Sequence, residues 1–135
     1  TKMLSTTFTK INGALDIYQT NDRSINTAPT ANEIVFNPDL NETSYLCVGT
    51  SNPDFLMDGE NPPPVPDPID LNAITTNGLI WYSPGIPIQN DSTVQVAQIT
   101  IPNTVSGVTF KLEYGSDSVS DYKIVTMSVT NGIIS

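Results

Sequence analysis

Val108-Thr109-Phe110-Lys111-Leu112-Glu113-Tyr114 decides the fold class. Apolar side chains stand at every second position, with Thr, Lys and Glu between them. A period of two is that of a strand with one buried and one wet face. Working outward, Tyr122 to Thr130 repeats the pattern, with Val125, Met127 and Val129 expected inward. Asn131-Gly132 then reads as a hairpin turn into Ile133-Ile134. On the other side, Thr93 to Ile101 has Val94 and Val96 on one face and Ile99 and Ile101 on the other. That slip predicts a bulge near Ala97-Gln98. Leu79-Ile80-Trp81-Tyr82 lies between Asn77-Gly78 and Pro84-Gly85 and reads as one more strand.

The first half continues the pattern less regularly. Leu4 to Ile11 alternates weakly, with Leu4, Thr6 and Phe8 on one side. Leu15 and Ile17 share a face after Gly13. Glu33-Ile34-Val35-Phe36 reads as a short strand stopped by Asn37-Pro38. Thr43 to Gly49 is apolar on both faces and is placed centrally in a sheet. Residues 50–73 are different. Pro62-Pro63-Pro64-Val65-Pro66 cannot donate to a ladder, so the stretch reads as a long acidic, Pro-rich loop. The expectation is a single all-β domain over residues 1–135. It is an antiparallel β-sandwich, immunoglobulin-like or jelly-roll, of about eight strands with no substantial helix.

Composition agrees. Charged residues are only 14% of the 135, and the wet faces are carried by Thr, Ser and Asn rather than by helix-forming Glu and Lys. The chain has no histidine and one cysteine, Cys47. It therefore holds no Ser-His-Asp or Cys-His pair, no imidazole metal ligand and no intrachain disulfide. Cys47 sits in the apolar run Tyr45-Leu46-Cys47-Val48 and is expected to be a buried thiol. No apolar run is long enough for a transmembrane helix.

The net charge is −9, and no Lys or Arg stands between Ser24 and Phe110. Such a surface repels phosphate backbones and anionic lipid, so nucleic acid and membrane insertion are not expected. Cations, neutral glycans and other copies of the chain are the partners left.

The order of short motifs resembles the cohesin-like β-sandwich domains of secreted bacterial surface proteins, of planctomycete and cyanobacterial type. The motifs are Tyr45-Leu46-Cys47-Val48-Gly49 and Gly78-Leu79-Ile80-Trp81-Tyr82. After them come Val96-Ala97-Gln98-Ile99-Thr100-Ile101-Pro102 with Val105-Ser106-Gly107, and Val129-Thr130-Asn131-Gly132-Ile133. The resemblance implies an immunoglobulin-like or jelly-roll sandwich, export, and no enzymatic activity. It carries over no functional residue.

Three constellations could carry chemistry. Asp54, Asp58, Glu60, Asp67 and Asp70 crowd the 50–73 loop. A structural Ca²⁺ ion would draw its six to eight oxygens from such a loop, although EF-hand spacing is absent and a solvated acidic loop is the competing reading. No other cofactor is expected. Trp81-Tyr82 puts one ring inward and the other outward, offering either a core plug or a platform for a neutral glycan. The N-terminal segment 1–12 could pair with a neighbouring copy, burying Leu4 and Phe8, or form the ordinary first strand of its own domain. The functional expectation is a non-enzymatic extracellular or cell-surface structural protein. It would be a subunit of a surface layer, filament or matrix assembled by strand pairing between copies. The alternatives are a carbohydrate-binding or adhesive module, and a virion surface protein of the decoration or fibre kind.

Overall fold

The computed structural model describes residues 2–10, 17–20, 25–57, 59–70, 78–82, 95–115 and 123–134. Among them the chain is mostly strand. Eight strands form two antiparallel sheets, with one short α-helix and one 3₁₀ turn. The strands are β1 (Lys2–Lys10), β2 (Tyr45–Leu46), β3 (Asp54–Met57) and β4 (Leu79–Tyr82), followed by β5 (Ala97–Gln98), β6 (Val108–Gly115), β7 (Lys123–Thr130) and β8 (Ile133–Ile134). The larger sheet has the order β3-β4-β1-β6-β7-β8, and β2 pairs with β5 in the smaller one.

The β6 stretch folds as its alternation requires. In the β6–β7 ladder Val108 stands opposite Val129, Phe110 opposite Met127 and Leu112 opposite Val125. Val108 and Val129 are buried, and Met127 and Leu112 pack partly against the core. Val125 is in phase with them yet 40% exposed, so the inward expectation fails at that residue. Burial declines along β7 away from the Val108/Val129 end. Asn131 and Gly132 both have positive φ, 49° and 74°, the backbone of a type I′ hairpin turn. The turn joins β7 to β8, as the Asn-Gly pair predicts.

The core unites both sheets. Leu46 and Val48 from the β2 region meet Leu79 and Trp81 of β4, Val108 of β6 and Val129 of β7. Ile17, Ile25, Ile69 and Val105 complete the cluster from connecting segments. Val96 on one phase, and Ile99 and Ile101 on the other, all pack against it. The segment reaches the core on both phases, with only the two-residue ladder of β5 between them.

Four expectations are corrected. Residues 33–36 are helical, within α1 (Ala31–Phe36), not a strand. Thr30 caps this helix: its hydroxyl accepts from the Glu33 N–H, and the Glu33 carboxylate accepts from the Thr30 N–H. This reciprocal capping box satisfies two free donors locally, and the β-branched run that suggested a strand does not outweigh it. Residues 43–49 are buried on both faces as expected, but only Tyr45–Leu46 is strand, in the smaller sheet rather than at the centre of the large one. The 50–73 loop contains β3, an edge strand paired with β4 from Asp54↔Tyr82 to Met57↔Leu79. Finally, β1 is an interior strand, paired on both sides within its own chain. Its register slips at Ser5 in both ladders, so Leu4 stands opposite Glu113 and Phe8 opposite Phe110, on opposite phases. The shared face expected for Leu4, Thr6 and Phe8 is broken by that slip.

Candidate functional site

An open groove of about 410 Å³ lies on the described surface. Ile17, Tyr18, Gln19, Glu42, Thr100, Ile101 and Pro102 line it. No regular strand builds its walls. They are held by bonds between segments distant in sequence. The Tyr18 N–H donates to the Thr100 carbonyl at 2.9 Å, and the Ser44 N–H donates to the Tyr18 carbonyl at 3.0 Å. The Ser44 hydroxyl accepts from the Thr100 N–H at 2.9 Å. The Thr43 hydroxyl accepts from the Thr20 N–H at 3.1 Å. Thr43 and Ser44 are fully buried, so these hydroxyls satisfy backbone donors that would otherwise be stranded. Gln98 adds a clamp, donating from Nε2 to the Asn41 and Thr43 carbonyls, both at 2.9 Å.

The groove has one carboxylate, Glu42, and the exposed ring of Tyr18. It can offer a ring face, an amide and an acid to a ligand. It offers no nucleophile–base pair. Sequence reading did not find it, because its walls meet only through contacts between residues 17–19, 42 and 100–102.

The residues singled out from the sequence are placed as follows. Trp81 is 1% exposed, in the hydrophobic core cluster. Its indole N–H lies 3.0 Å from the Val96 carbonyl and 3.2 Å from that of Cys47, donating toward both. Of the two roles open to it, the core one is the one observed, and a glycan platform cannot use its ring. Tyr82 is half-buried, opposite Asp54 in the β3–β4 ladder. Asp54, Glu60, Asp67 and Asp70 are exposed, Asp54 on β3 and the others in the loop that follows. Asp58 lies outside the described residues. Among the described residues no three acidic or thiol side chains gather as a metal site would require. Leu4 and Phe8 are on β1, inside the sheet. Cys47 is buried, and its thiol donates to the Gln95 carbonyl at 3.4 Å. Burial pushes the thiol above its ordinary pKa of 9.0.

No protein-family model, no curated protein and no solved structure matches the chain.

Proposed function

We propose that the chain is a non-enzymatic β-sandwich subunit of an extracellular surface layer, filament or matrix, and that copies assemble by strand pairing. The observation that carries this reading is the state of the large sheet's two edges. β3 ends it on one side and β8 on the other, and among the described residues neither has a further strand beside it. Both edges carry exposed apolar side chains, Leu56 at 45% on β3 and Ile133 at 71% on β8. A bare edge with apolar residues is a template for another strand, and monomeric proteins usually cover or charge it. The shared core of the two sheets supports the sandwich. The resemblance to cohesin-like domains supports export.

Electron microscopy and light scattering across a wide concentration range test the reading. Expected are extended assemblies whose mass grows with concentration. A monomer at every concentration would refute it.

The binding-module alternative draws on the groove. Tyr18, 40% exposed beside Gln19 and Glu42, could stack a sugar ring and bond its hydroxyls. Screening against neutral oligosaccharides should then give hits that Tyr18→Ala abolishes.

A further inference from the structure

We propose that the short helix α1 is a docking face for another protein, and that its occupant is a basic segment carrying arginine beside apolar side chains. α1 is no part of either sheet, so this stands apart from assembly by strand pairing.

The helix is presented outward. α1 (Ala31–Phe36) buries no residue, and its last two side chains stand in water: Val35 is 77% exposed and Phe36 90%. A surface helix ordinarily turns its apolar positions toward the core. The residue that anchors this stretch comes later. Leu40, in the 3₁₀ turn Pro38–Glu42, is buried. Backbone carbonyls hold the same turn. The Thr20 hydroxyl donates to the Asp39 carbonyl at 3.3 Å, and Gln98 Nε2 donates to the Asn41 carbonyl at 2.9 Å. The fold grips residues 39–41 and leaves Val35 and Phe36 outside.

The exposed pair is also held in place. The Thr30–Glu33 capping box fixes the start of α1. At its end the Asn37 N–H donates to the Glu33 carbonyl at 2.9 Å. The Asn37 side chain accepts from the Asp39 N–H at 3.3 Å and ties helix to turn. A partner meeting a preformed face loses less ordering entropy on binding, and aromatic side chains are among the usual anchors of interfaces.

Charge selects the occupant. Residues 31–42 hold Glu33, Asp39 and Glu42 and no Lys or Arg. Asp39 and Glu42 are exposed. The last turn of α1, where Phe36 sits, carries no basic residue, and helix-end carbonyls add partial negative charge there. A second copy of this face would bring the same sign and be repelled, whereas a basic segment is attracted. Arginine suits the face better than lysine. Its planar guanidinium stacks on a phenyl ring while its N–H groups reach carboxylates or carbonyls alongside. An apolar neighbour of that arginine would cover Val35.

The probe is a synthetic peptide of alternating arginine and leucine, titrated into the full chain while backbone amide shifts are followed by NMR. Shifts should gather in residues 31–42 and saturate. Phe36→Ala should weaken binding more than about tenfold, as loss of an interface anchor does. It should leave the thermal melt unchanged, because the fold buries nothing of α1. Asp39→Asn combined with Glu42→Gln should weaken binding as well, and so should added salt. A second peptide with serine in place of leucine should bind more weakly than the first. Equal affinity of the two peptides would show that charge alone draws them and would overturn the proposal. So would shifts spread evenly over the acidic surface, full affinity in Phe36→Ala, or no shift at all. Shifts confined to β3 and β8 would overturn the docking face and support strand addition at the sheet edges. Failure of the chain to assemble would count against the edge reading alone.

Discussion

At the residue scale, two buried side chains report on the core by different physics. Trp81 is the largest fully buried side chain of the core and supplies the indole N–H shared by the Cys47 and Val96 carbonyls. The Val96 carbonyl also accepts from the Cys47 N–H, so loss of the indole falls mainly on the Cys47 carbonyl. Trp81→Phe removes volume and that donor together and should cost about 2–4 kcal/mol in urea unfolding. Lys111→Ala, at an exposed position of β6, should cost below about 0.5 kcal/mol. Equal costs would mean that the indole is not the centre of the core. Cys47 gives a pH prediction. Well below pH 9.0 its thiol is neutral in both states and adds no pH dependence. Above that, the unfolded chain releases a proton that the folded chain keeps, so stability falls as pH rises toward the raised folded pKa. Urea midpoints at pH 8 and pH 10 should therefore drop more for the natural chain than for Cys47→Ala. A drop of the same size in both would assign it to other groups.

At the element scale, the β7–β8 hairpin depends on one glycine. A Cβ on Gly132 would stand 2.3 Å from the Asn103 Cα, and the residue's φ is +74°. Gly132→Ala therefore meets backbone on one side and left-handed strain on the other. It should lower stability by more than about 1 kcal/mol in thermal melts, and a neutral result would show that the 102–105 segment can move aside. This hairpin, β6 and β4 were legible in the sequence because each announces itself locally: an Asn-Gly turn, strict alternation, an apolar run ending in two aromatics. α1 was also written locally, in Thr30 and Glu33, but its wet surroundings hid it. It buries no residue, and Phe36 is 90% exposed, so no amphipathic period marks it. β3 was hidden by its setting in a Pro-rich stretch. The groove was not legible at all, since Tyr18 and Thr100 become neighbours only when distant segments bond.

At the scale of the whole molecule, β1 decides whether the large sheet exists. Among the described residues it is the one strand joining the β3–β4 pair to the β6–β7–β8 group. Three register pairs tie it to β4 and eight to β6. An antiparallel ladder averages about one hydrogen bond per pair, so at about 0.5–1.5 kcal/mol net per bond those eleven pairs contribute roughly 5–16 kcal/mol. That is comparable to the whole stability of a domain this size, about 5–15 kcal/mol. Deleting residues 1–10 removes them and bares the inner edges of β4 and β6 as well. The truncated chain should lose its cooperative melt and aggregate, and should not survive as a folded monomer. Adding a peptide of residues 1–12 should restore the transition, because the slot then fills in trans at the same register. The measurement is a thermal melt followed by circular dichroism, with and without peptide. A cooperative melt of the truncated chain close to that of the full one would show that the two halves hold together through the core alone. β1 would then be an accessory to the sheet and not its keystone.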